Sequence, residues 1–223
     1  MKTLIYILSC ISCLLLLCDC NQDKEIKLSG NDNRLSDVDL GLSVKWANMN
    51  LGAERPEDFG KYYALGHVQP YDTIPNDYEL PPEKWLREDG IVLPKYDAAS
   101  YQTDNRWRIP TVEEWMELGQ KCKWKWGSYK SVQGFYIKGP NGNSIFLPAA
   151  GDAEARYGDK LKGAYRSSFV WDEGATWGVY FNEPNNTNNP TIALDTPEHT
   201  GDVRFESWGC QVPISIRPVK VKE

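Results

Sequence analysis

The sequence predicts an α+β fold in which short strands, one firmly signalled helix and long irregular connections follow an export signal. Three observations carry this. Apolar residues recur with period two in several separate runs, as on strands with one buried face. Residues 110–118 combine a helix-start signal with helical spacing. Between residues 69 and 94, five prolines (Pro70, Pro75, Pro81, Pro82 and Pro94) break any period, which reads as a long surface loop or a local insertion.

Residues 1–20 read as a lipoprotein signal peptide. Lys2 precedes an apolar run over residues 4–18, broken only by Ser9 and Ser12 and too short to rest as a membrane span. Four of the six cysteines (Cys10, Cys13, Cys18 and Cys20) lie in or just after this run, and the chain turns polar at Asn21. A cysteine so placed resembles a lipobox, whose thiol is diacylated and becomes the new N-terminus. Cys20 is the expected lipidation site, with Cys18 the second choice and plain secretion after cleavage near Asp19 the alternative. Residues 21–36 are polar and aperiodic, as in a flexible tether, and residues 37–223 form one domain.

Within that domain, residues 38–46 place apolar side chains at even positions, between Asp39, Gly41, Ser43 and Lys45, which predicts a strand. An aromatic-rich second strand is expected over residues 59–65, closed by Gly66. Thr111 followed three residues later by Glu114 is a capping box, and Val112, Trp115, Gly119 and Cys122 then share a helix face. The period changes to two at Lys121, so that Cys122, Trp124 and Trp126 face one way and the lysines the other. Residues 135–138 and 144–147 flank an Asn141-Gly142 turn, a hairpin signal. Later strands are expected at 177–181, 203–205 and 214–219.

A net charge of −6 without a Lys/Arg block argues against a nucleic-acid or anionic-membrane surface. His67 and His199 stand far apart with no partner at metal-ligand spacing, and Asp152 with Glu154 or Asp172 with Glu173 is mere adjacency. Nothing here spells an enzyme. Only Cys122 and Cys210 remain in the exported body, where an oxidising compartment invites a disulfide worth about 4–5 kcal/mol on the chain-entropy model; two separate buried thiols are the alternative.

Six ordered segments add a family resemblance: residues 38–47, 60–66, 107–111 with Glu114 and Trp115, 146–151, 165–168 and 215–219. Together they resemble the Fibrobacter succinogenes major paralogous domain, found in lipoproteins and surface proteins of the Bacteroidetes. The resemblance implies a C-type-lectin-like fold, related to the formylglycine-generating sulfatase-modifying factors, with a helix-flanked, mostly antiparallel sheet and one or two helices. It implies an outer-membrane lipoprotein exposed at the cell surface that binds a glycan or a protein. The sulfatase-modifying enzymes are the alternative, but they rely on two cysteines close together in the C-terminal part, and here Cys210 stands alone. Tyr165, Ser167 and Ser168 read as structural residues, the Ser pair near a turn.

Glu183-Pro184-Asn185 reproduces the tripeptide with which calcium-dependent lectins of this fold class hold a sugar, and Trp208 follows at a comparable distance. Gly209-Cys210 replaces the Asn-Asp calcium ligands of those lectins, which leaves Asp195, Glu198 or Asp202 to complete a site. Calcium is thus the one cofactor in view. Asp72-Thr73-Ile74 resembles the O-glycosylation sequon of exported proteins of this phylum, with Thr73 the acceptor.

Overall fold

The computed structural model describes residues 35–222 apart from 82–83, 154–160, 173 and 197–198. The signal-peptide reading, with Cys18 and Cys20, lies outside the described residues, as do Glu154, Glu173 and Glu198. What is described is α+β and mostly antiparallel, as the alternating runs predict. It begins two residues earlier than the tether assignment allows. Leu35 packs into the core, and Ser36 exchanges hydrogen bonds with Asn48, its N–H donating to Oδ1 at 3.0 Å and its carbonyl accepting at 2.9 Å.

The alternation over residues 38–46 marks a buried face rather than one strand. Leu40, Leu42, Val44 and Trp46 are all buried, yet the chain doubles back between β1 (Asp37–Val38) and β2 (Val44–Ala47), which pair with Val38 opposite Trp46. Gly41 permits the reversal: its φ of +80° is left-handed, and its N–H donates to the Asp39 carboxylate at 2.8 Å. The aromatic run after it yields only β3 (Tyr62–Tyr63). The described residues of 69–93 stay irregular apart from isolated bridges, as their prolines predict. A 3₁₀ turn (Pro94–Tyr96) and a short helix α1 (Ala98–Gln102) follow, the latter unforeseen and capped by Asp97.

Helix α2 (Val112–Lys121) starts at the expected capping box. The Thr111 hydroxyl accepts the Glu114 N–H at 3.3 Å, and the Glu114 carboxylate accepts the Thr111 N–H at 2.8 Å. Gly119 is needed where α2 meets Leu194, because a Cβ there would lie 2.6 Å from the Leu194 Cβ. The chain then forms β4 (Lys123–Tyr129), β5 (Val132–Lys138) and β6 (Ser144–Pro148), a three-stranded antiparallel sheet with Trp124 and Trp126 inward and Lys123 and Lys125 in solvent. At its Asn-Gly turn, the amides of Asn141 and Asn143 donate to the Asp39 carbonyl and tie the hairpin to the start of the domain.

The largest departure is β7 (Lys162–Asp172), where Tyr165, Arg166, Ser167 and Ser168 sit within the longest strand, at a bulge, rather than near a turn. All four are buried, so no alternation betrays the strand. The Ser167 hydroxyl donates to the Trp177 carbonyl at 2.6 Å, the structural use expected of it. The remaining strands are β8 (Ala175–Asn182), β9 (Ile192–Ala193), β10 (Val203–Gly209), β11 (Ile214–Ser215) and β12 (Val219–Val221). The run expected as one strand over 214–219 is split. β11 joins the six-stranded sheet β3-β11-β7-β8-β10-β9, while β12 pairs with β2 in the sheet β1-β2-β12.

One buried cluster joins α2 (Trp115, Leu118) to β4–β6 (Trp126, Phe135) and the six-stranded sheet (Val179, Phe181). A second gathers Leu51, Tyr63, Leu65, Trp107, Ile216 and Cys210. Cys122 packs with the first and Cys210 within the second, and both thiols are free. The two cysteines thus belong to different packing units, and the anticipated bridge is replaced by its alternative of two separate thiols.

Between the clusters, Arg217 is fully buried and has an acceptor at each of its three side-chain nitrogens. Its Nε donates to Asn50 Oδ1 at 2.9 Å, Nη1 to the Ala47 carbonyl at 3.1 Å and Nη2 to the Phe146 carbonyl at 2.8 Å. Asn50 in turn donates to the Tyr165 hydroxyl, which donates to the Pro148 carbonyl at 2.6 Å. Residues from four of the six resembling segments therefore meet in one polar knot. Their work is to hold the frame.

Candidate functional site

The site is built on the segment that leaves β3. The Tyr62 carbonyl accepts from the Tyr71 N–H at 2.9 Å, so residues 63–70 form a closed loop on the sheet edge. Gly66 must be glycine within it: φ is +84°, and a Cβ would lie 3.0 Å from Pro81 Cγ. That close approach brings the proline-rich segment over the loop.

His67 is the hinge between the two layers. Its Nε2 lies 2.9 Å from the Glu79 carbonyl, which can only accept, so in the neutral ring Nε2 carries the proton and Nδ1 accepts from the Tyr71 hydroxyl at 2.6 Å. Burial, and after it the Asp77 carboxylate, raises the Tyr71 phenol pKa and keeps that hydroxyl a donor. Tyr78 stacks on His67 with ring centroids 4.7 Å apart and donates to the Leu65 carbonyl at 2.8 Å. From behind, α1 supports the loop through Gln102, which donates to the Val68 carbonyl at 2.9 Å and accepts from the Tyr63 hydroxyl at 3.2 Å.

The two layers leave an open cleft of about 520 Å³, within the range of small-ligand sites. Tyr71, Tyr96 and Leu80 supply its apolar surface, and Gln69, Asp77, Glu79 and Lys95 supply polar groups of both signs. The Lys95 ammonium lies 4.7 Å over the Tyr96 ring. Rings beside mixed donors and acceptors suit a polyhydroxylated ligand, whose sugar faces stack on aromatics while its hydroxyls both give and take hydrogen bonds. Thr73 is exposed on the same loop, two residues beyond Tyr71. Its position meets the steric requirement of the sequon.

The residues of the lectin-type pattern do not come together. Glu183 and Asn185 are exposed just after β8, with the Glu183 N–H donating to the Leu161 carbonyl at 2.9 Å. Trp208 lies five residues along β10 from Val203, the register partner of Phe181, so it stands roughly 17 Å away along the strand. The proposed supplementary ligands are engaged locally. Asp195 pairs with His199 Nδ1 at 2.8 Å, and Asp202 Oδ2 accepts the Thr191 N–H at 2.8 Å. Among the described residues, no group of three or more His, Cys, Asp or Glu side chains converges as for a metal ion.

Sequence reasoning missed the cleft residues, for which the density of prolines next to Gly66 is the only local signal. It also missed the β7–β8 hairpin, where the exposed Trp171 (47%) stacks on the partly buried Trp177 at 5.5 Å and 22°. The burial of Trp46, Trp107, Trp115, Trp124 and Trp126 agrees with the reading of most aromatics as core. Compared with protein-family models, curated proteins and solved structures, the chain matches none.

Proposed function

We propose that this protein is a surface-anchored extracytoplasmic module that binds a glycan in the cleft between the β3 loop and the proline-rich segment. The observation that carries the reading is the cleft itself, with Tyr71 and Tyr96 beside Gln69, Asp77, Glu79 and Lys95. The anchor is the lipid on Cys20, which places the module at the outer membrane. The fold is C-type-lectin-like in this reading, supported by the adjacency of the first and last strands through β2 and β12, by α2 packed on the sheet and by long loops on one edge. Binding rather than catalysis is favoured because Cys122 and Cys210 are in separate clusters and form no redox pair of the sulfatase-modifying kind. The calcium-lectin tripeptide lies apart from this cleft: Glu183 follows β8, three strands from β3 in the sheet order.

A glycan array run with and without calcium, followed by calorimetry on the hits, tests the proposal. Tyr96→Ala and Gln69→Ala are expected to weaken a hit about five- to thirtyfold, the loss of one stacking or hydrogen-bonding contact of about 1–2 kcal/mol. Binding that survives both substitutions but requires calcium and is lost in Glu183→Gln would move the site to the loop after β8. The exposed Trp171, stacked on the half-buried Trp177, favours a second reading, a protein partner, and Trp171→Ala would then abolish capture of that partner while leaving glycan binding intact.

A further inference from the structure

Among the described residues two arginines are wholly buried, and only one has an acceptor at every side-chain nitrogen. Every guanidinium nitrogen of Arg217 has an acceptor. Arg166 is as deeply buried, yet only its Nη2 is engaged, with the carbonyls of Val212 and Tyr63, while Nε and Nη1 have no partner. No carboxylate among the described residues pairs with it. The groups that its charge acts on are the Cys210 thiol and the Tyr78 phenol, both kept protonated by burial. A buried cation without a counter-charge is costly and calls for one.

Glu206, the carboxylate on this face of the sheet, is already engaged by Arg204, whose Nη2 donates to it at 3.0 Å. Arg166 is the register partner of Gly178, which in turn faces Glu206, so the three project from one face of the sheet. Trp208 lies across Gly178 on that same face: a Cβ on Gly178 would be 3.0 Å from its Cδ1 and 3.3 Å from its Nε1. The Trp208 Nε1 is itself buried without a partner. The turn over residues 209–212, closed by the Val212 N–H on the Gly209 carbonyl at 3.1 Å, covers the place and lends the Val212 carbonyl to Arg166. Nε–H, Nη1–H and the indole N–H are all donors. A water there would accept from two of them and strand its own hydrogens, whereas an anion uses donors alone and neutralises the guanidinium.

We propose that Arg166 and Trp208 form a buried site for one halide-sized anion, held by Arg166 Nε–H and Nη1–H and by Trp208 Nε1–H beneath the turn over residues 209–212. Chloride is the ion of that size and charge available outside the cell. The site locks the turn that carries Cys210 onto the sheet.

Thermal unfolding of the signal-free protein at constant ionic strength, with chloride exchanged for gluconate, tests this. The expected result is a Tm that rises by roughly 3–5 °C for each tenfold increase of chloride above its dissociation constant. Crystals soaked in bromide should show an anomalous peak within hydrogen-bonding distance of Arg166 Nε and Trp208 Nε1. Arg166→Met should abolish the halide dependence; should it fail to fold, Trp208→Phe, which keeps a ring and loses one donor, should lower the halide affinity several-fold. Equal Tm in chloride and gluconate overturns the proposal, as does a bromide peak without a Tm effect, which marks an adventitious ion only. Fast alkylation of Cys210 in the folded protein at neutral pH would also overturn it, by showing that a thiolate neutralises Arg166.

Discussion

Asp97 shows how one side chain can serve the fold and strain it by its charge. Only 3% exposed, its carboxylate accepts the Ser100 N–H at 2.9 Å and the Ile109 N–H at 2.8 Å, so it both caps α1 and holds the approach to α2. Burial outweighs these bonds and lifts its pKa from 3.8 to about 6. Between pH 4 and 6 the folded chain therefore keeps a proton that the unfolded chain has released. The contribution of this group is complete below about pH 4 and is lost as pH rises through 6, by about 2–3 kcal/mol. Urea unfolding from pH 4 to 7 should show that loss in the wild type relative to Asp97→Asn. A constant difference between the two across that window would refute it. Asp37 has the opposite sign: Lys220 first and Lys45 second hold its pKa down at about 2, so its contribution is present above pH 4 and lost as the pH falls toward 2.

Among the elements, α2 is where local rules and tertiary packing agree most fully. Its capping box satisfies two backbone N–H groups, and Glu114 is held in place by Arg108, whose Nη1 donates at 2.8 Å to the same Oε2 that caps the helix while its Nη2 donates to Oε1. Thr111→Ala should cost about 1 kcal/mol and lower Tm by roughly 2–4 °C, while Thr111→Ser should restore most of it. Differential scanning calorimetry of the two variants decides; equal loss in both would mean that packing rather than the cap sets the helix start. Strand β7 is the contrary case. Of its buried polar residues, Ser167 finds the Trp177 carbonyl across the hairpin, a contact made by strand pairing that no periodicity in β7 signals.

For the whole molecule, the pairing of β12 with β2 closes the chain, and the Arg217 knot fastens that closure to β6 and β7. The same closure leaves the thiols apart. Burial pushes the Cys122 thiol up to about 11 and raises that of Cys210 as well, so neither is primed for oxidation. Exported protein unfolded without reductant should therefore yield both Cys122 and Cys210 as alkylated peptides, with Cys210 protected until unfolding. A crosslinked Cys122–Cys210 peptide would contradict the arrangement.

Periodicity and capping chemistry determined much of this protein on their own. The α2 boundary at Thr111, the inward faces of Trp124 and Trp126, the β5–β6 hairpin and the irregular segment after Gln69 all follow from residues within a few positions of one another. Reversals that depend on a single positive φ, as at Gly41, escaped because an alternating pattern reads the same on a strand and on a tight hairpin whose side chains reach one core. The candidate site was less legible still. Tyr71, Glu79 and Tyr96 meet only because Gly66 lets Pro81 fold over the β3 loop, and Arg166, Trp208 and the turn after Gly209 meet only through strand register. Local order is encoded by neighbours in the chain. Clefts and buried charges are made by contacts over long separations, and those exist only once the sheets have packed.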